Sequence, residues 1–171
     1  HFLILDLESG KCRDLIDTEH IYAFIIVDYR HRAYHPLRGG DIARSDPATG
    51  KLDRLKQTID GRPPAPGSHL ADAEGHPINW DLSPDGKTLY CVPMSTNQLY
   101  VYDLTAPGDT LPGRSLGALI PGAKDTDCRA LYGGPTGQVW AAVTEASPLG
   151  IRLAHLVSYR PGDRTPRDRG P

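Results

Sequence analysis

The chain has 171 residues, 39% of them hydrophobic, which allows a core and is too polar for a membrane protein. No window approaches the roughly 18 apolar residues of a membrane span. A net charge of −2 also lacks the basic face that phosphate neutralisation needs, so neither membrane nor nucleic acid is an expected partner. With 18 Gly and 16 Pro, turns are frequent, which favours many short strands over long helices.

In chain order, Phe2 to Leu7 is a β-prone apolar run, followed by the turn Glu8-Ser9-Gly10-Lys11 and a second run ending at Ile16. These predict strands at 2–7 and 11–16. Runs between turn residues then predict four strands at 21–27, 32–36, 41–46 and 51–55, within 20–56. After a Gly- and Pro-rich stretch come four more at 77–82, 88–93, 98–104 and 114–119, within 76–120, and three at 127–132, 138–144 and 153–160, within 126–161. Residues 162–171 alternate Arg, Asp and Pro and read as a flexible tail or link. Cys12, Cys91 and Cys128 are far apart with no CxxC pair, so they read as buried small hydrophobes on strands.

The turn at Asp6 to Lys11 recurs at Asp46 to Lys51 with the same order of Asp, Ser or Thr, Gly and Lys. With Leu5, Ser45, Tyr102 and Tyr159 in register, Tyr34, Tyr90 and Trp140 fall at one position, where a flat side chain fills the space between twisted sheets. Repeats of about 40 to 50 residues mark a propeller. The sequence therefore predicts an all-β chain, a partial β-propeller of about three and a half four-stranded antiparallel blades, in residues 1–162. Closure takes more blades, so further blades of the same chain are expected partners. A chain beginning at His1 leaves the compartment open, an extracytoplasmic one included.

Short turns (84–86, 135–137, 9–11, 49–51) fall on one face of such an array, with 105–113 a long exception. The long connections 56–76, 120–126 and 145–152 fall on the other, and loop elaboration on one face marks the binding face. His20, Tyr22, His76, Asn79, Asp127 and Arg129 stand at the starts of innermost strands there, and His35 and Glu145 at the ends of second strands. His69, Asp72 and Glu74 lie in the longest loop. Imidazoles and carboxylates in this mix suit a divalent metal, held by His20, His35 and His76, or a small molecule or carbohydrate held by hydrogen bonds; polar strand ends facing water are the alternative. No nucleophile motif surrounds Ser83, and Gly133-Gly134-Pro135-Thr136-Gly137 lacks the ending of a phosphate loop.

The run Ser83-Pro84-Asp85-Gly86-Lys87-Thr88-Leu89-Tyr90, with Asn97 to Asp103 behind it, resembles blades of the YVTN and lactonase-type propellers and of the SMP-30/gluconolactonase family. The resemblance implies a propeller and a metal-dependent lactone hydrolase whose divalent metal activates water. It would place metal ligands at an Asn ahead of the Ser-Pro-Asp-Gly turn and an Asp beyond the aromatic of the second strand, positions occupied here by Ile78 and Pro93. His20, His35 and His76 also resemble the histidine-held metal of oligogalacturonate-lyase-like propellers. Two functions stand side by side: a propeller whose His- and acid-rich loop face binds a small molecule, sugar or protein partner with no assignable catalytic site, and a metal-dependent sugar-acid or lactone hydrolase or lyase.

Overall fold

The structure is a computed structural model, describing residues 2–16, 25–37, 39–64, 78–93 and 96–171. Among them the regular elements are all strands. β1 (Phe2–Leu5) and β2 (Cys12–Ile16) form a separate antiparallel hairpin. Its turn is built by Asp6, whose carboxylate accepts the Glu8 and Ser9 N–H groups while Gly10 takes φ 67°. The turn at Asp46 is made the same way, with Ala48 N–H on the carboxylate and Gly50 at φ 67°.

Eight strands form the largest sheet: β3 (Ile26–Val27), β4 (Ala33–Pro36), β5 (Ile42–Asp46), β6 (Lys51–Ile59), β7 (Ile78–Leu82), β8 (Thr88–Pro93), β9 (Gln98–Asp103) and β10 (Thr110–Ala118). β3 to β6 and β7 to β10 are each an antiparallel meander, and the two join where β6 and β10 pair in parallel. The sheet folds over along that seam, so that Tyr34, Ile42 and Leu55 of one half pack on Trp80, Leu89, Cys91 and Tyr102 of the other. The result is a nearly closed, barrel-like sheet whose edge strands are β3 and β7.

The seam corrects the sequence reading of two elements. Residues 56–59 fall in the expected connection 56–76, and 110–113 in the expected turn 105–113 with Pro107, Gly108 and Pro112. They become strand by pairing with each other, a distant contact with no local signature. Gly113 is required there, since a Cβ at this position would lie 2.6 Å from the Tyr102 ring.

The remaining strands, β11 (Thr126–Gly133), β12 (Val139–Ala146), β13 (Arg152–Tyr159) and β14 (Arg167–Asp168), form a four-stranded antiparallel sheet. Its inner face carries Cys128, Val139, Val143, Val157 and Tyr159 and packs on Tyr90, Val92, Leu99 and Val101. Residues along β8 alternate between the two cores, Leu89 and Cys91 in one and Tyr90 and Val92 in the other, so the β7–β10 half is buried on both faces. At the join, Gly133 passes so close to β7 that a Cβ would meet the Leu82 carbonyl oxygen at 2.1 Å, and its N–H donates to Asp81 Oδ2 at 2.8 Å. Tyr34 and Tyr90 are buried between layers as their register predicts, whereas Trp140 is only partly covered, beside exposed Tyr132.

The expectation of a flexible tail in 162–171 differs from the structure. Pro166 is buried and β14 pairs with β13, because Arg167 and Asp168 find backbone partners opposite Ser158 and Val157. Charge and proline content alone do not exclude a strand when a neighbouring edge is open.

One buried ion pair ties the halves of the large sheet. Asp28 accepts the Arg30 and Arg32 N–H groups, Arg32 Nε at 2.7 Å and the Tyr34 hydroxyl at 2.9 Å, and Arg32 continues to the Leu104 carbonyl at 2.7 Å. Burial works against the Asp28 charge, but the Arg32 and Tyr34 hydrogen bonds outweigh it and hold the carboxyl below its usual range.

Candidate functional site

Of the eight site residues expected from sequence, His20, Tyr22 and His76 lie outside the described residues, as do His69, Asp72 and Glu74. His35 is buried on β4, its Nδ1–H donating to the Pro36 carbonyl at 2.6 Å. Strand alternation turns it away from the face that Tyr34 presents to the β7–β10 half, and it sits opposite Ala43. It is thus not brought together with the other described candidates.

Asn79, Asp127 and Arg129 come together where β7 meets β11, whereas Glu145 turns to the other face of the third sheet, toward His155. Asn79, on β7, donates from Nδ2 to the Cys128 carbonyl at 3.0 Å, which ties it to the β11 backbone at the residue between Asp127 and Arg129 in sequence. Asp127 is the second residue of β11 and forms an ion pair with Arg129 through Oδ2. Arg129 is the extra residue of a β-bulge between Cys128 and Ala130, and its side chain is 60% exposed. A bulge re-aims a side chain that strict alternation would place elsewhere. Glu145 lies opposite Thr126 on β12.

Two atoms at this end of the third sheet stand out among the described residues. Asp127 Oδ1 and His155 Nε2 are both buried without a hydrogen-bond partner. An orphaned acceptor of this kind costs about 1–3 kcal/mol, so each calls for an occupant or a proton. His155 was not anticipated from the sequence: it stands mid-strand with no motif around it, and its partner Asp168 lay in the segment read as tail.

The metal centre implied by the gluconolactonase resemblance does not fit β7 and β8. Ile78 and Pro93, at the two ligand positions, are register partners directly opposite one another, so the strands bring together two residues with no donor atom in the side chain. Asn79 cannot substitute: it pairs with Val92, its side chain leaves on the other face, and its amide is spent on Cys128. Among the described residues no group of three His, Cys, Asp or Glu side chains is placed to hold a metal ion.

The chain's similarity to known proteins is structural. No protein-family model matches it, and no curated protein matches it. Its fold is similar to that of a luciferin-regenerating enzyme, with a TM-score of 0.54 and 9% identity, covering 88% of this chain and 46% of that one. A crystal structure from Bacteroides uniformis named for 6-phosphogluconolactonase aligns with a TM-score of 0.46 and 15% identity, over 98% of this chain and 62% of that one. The chain thus spans less than two thirds of either neighbour. The likeness to the luciferin-regenerating enzyme, at 9% identity, speaks for an all-β fold alone.

Proposed function

We propose that the chain is a segment of a β-propeller, with the two halves of the eight-stranded sheet and the β11–β14 sheet as blades, whose loop end binds a small polar ligand of the sugar or sugar-acid class. The stacking of three four-stranded layers, the middle one buried on both faces, supports the blade reading. The observation that carries the ligand is Asp127 Oδ1, a buried acceptor with no donor, next to the exposed Arg129 on its bulge. A ligand hydroxyl supplies the missing donor, and the guanidinium, with five N–H groups, has capacity left for a carboxylate or a ring oxygen. The fitting ligand therefore carries a hydroxyl within reach of an acceptor or anionic group, as polyols and hydroxy acids do.

Calorimetry of the protein against sugars, sugar acids and their lactones tests this. The expected result is binding to a hydroxylated ligand that weakens at least about tenfold in both Asp127→Asn and Arg129→Ala, the scale of one charge-assisted hydrogen bond. Equal affinity in Arg129→Ala and the parent would refute the site.

A second reading is a metal-dependent lactone or sugar-acid hydrolase or lyase, favoured by the names of the two structural neighbours. Its metal would have to be held by His20, His35 and His76. Metal content that is nil, or unchanged in all three alanine variants, would remove it.

A further inference from the structure

Little backbone holds the C-terminal strand. β14 is two residues long, and beyond its pairing with β13 the segment is tied by Arg169 N–H to the Leu156 carbonyl at 2.8 Å and Leu156 N–H to the Gly170 carbonyl at 3.2 Å. His155 on β13 adds the third hold. Its ring is 9% exposed, Nδ1 lies 3.1 and 3.0 Å from the two Asp168 oxygens, and Nε2 lies 3.8 Å from Glu145 Oε1 with no hydrogen-bond partner. A neutral ring suits only half of this. With its N–H at Nδ1 facing Asp168, Nε2 turns a buried lone pair toward a carboxylate. A proton on both nitrogens gives each N–H an acidic oxygen to face.

We propose that His155 is a proton-operated clasp on the C-terminal strand: as imidazolium it bridges Asp168 of β14 and Glu145 of β12, and on losing its proton it loosens β14 from the sheet. The other groups around the ring keep their charge state while it acts. Burial opposes the Asp168 charge, but the Gly170 N–H and His155 outweigh it and hold this carboxyl below its usual range, so it stays ionised. In the same row of the sheet Cys128 faces Val143, which faces His155, and burial pushes its thiol up to about 12, so it stays neutral. Tyr90, from the facing layer, is likewise raised by burial. Arg169 lies on the other face, donating to Ser158 Oγ at 2.9 Å, and Arg152 pairs with Asp125. The form that engages both carboxylates is the cation. The hold therefore belongs to the doubly protonated ring, present at low pH and lost at high pH.

Amide hydrogen exchange on the whole chain, read by NMR at about pH 5.5 and about pH 8 and corrected for intrinsic rates, tests the clasp. The protection of Leu156 and Arg169, taken relative to Val143, is expected to fall about three- to fivefold at the higher pH, the scale of one partly buried ion pair. Glu145→Gln is expected to remove this dependence while β14 stays protected, because the amide NH2 can donate to a neutral Nε2 and the amide oxygen can accept from a protonated one. His155→Gln is expected to remove it as well. A protection ratio unchanged with pH in the parent would overturn the proposal, as would a dependence that survives in Glu145→Gln or a loss shared equally by Val143.

Discussion

At the scale of single residues, a few side chains are asked to do what no neighbour in sequence can replace. Asp28 is buried with Arg32, Tyr34 and two backbone N–H groups around it. Asp28→Asn leaves the Arg32 charge buried and is expected to cost about 3–5 kcal/mol by denaturant unfolding, the usual result of removing one partner of a buried pair. The pH dependence has a definite sign. Because the folded carboxyl lies below its usual range, its contribution is present above about pH 4 and is lost as pH falls through the folded value, so the stability difference between the parent and Asp28→Asn should be full near neutral pH and shrink as pH falls below about 4. Gly133→Ala is expected to destabilise by about 1–3 kcal/mol, since the Leu82 carbonyl at 2.1 Å from the new Cβ is backbone and must shift.

At the scale of elements, the β6–β10 seam decides how the large sheet closes. Lys56 N–H donates to the Asp109 carbonyl at 2.9 Å and Asp60 N–H to the Gly113 carbonyl at 2.8 Å. Lys56→Pro deletes the first of these and is expected to cost about 3 kcal/mol, with exchange protection lost at Asp60 before it is lost in β8. The paired turns at Asp6 and Asp46 show what was legible at this scale. Asp, Ser or Thr, Gly and Lys in fixed order specify a side-chain acceptor and a positive φ, and the structure forms both turns on that plan. The strand ends at 56–59 and 110–113 were not legible, because Pro107, Gly108 and Pro112 carry a turn signal that only the partner strand overrides. The β11 bulge that exposes Arg129 was equally hidden: Asp-Cys-Arg-Ala contains nothing that announces an extra residue.

At the scale of the whole molecule, β8 and β9 feed both cores, so the layers are expected to unfold together. Leu89→Ala in one core and Leu99→Ala in the other should each cost about 2–5 kcal/mol and shift the same transition. Trp80 reports on the large sheet and Trp140 on the third. Trp80→Phe and Trp140→Phe therefore give two single-probe proteins, whose fluorescence transitions should coincide with each other and with circular dichroism. Separate transitions would mean that the layers are independent.

By itself the sequence determined the all-β class, most strand centres, the tight turns and the aromatic positions at Tyr34 and Tyr90. Alternation, turn chemistry and the frequency of Gly and Pro act within a few residues, and that is the range over which such signals are written. It also placed Asn79, Asp127, Arg129 and Glu145 at strand ends. Only the tertiary structure decided that Asn79, Asp127 and Arg129 come together while His35 turns away, that Ile78 and Pro93 are register partners where a metal would need ligands, and that His155 sits between Asp168 and Glu145. Each of these depends on strand register, and a shift of one residue reverses the face of every side chain it carries.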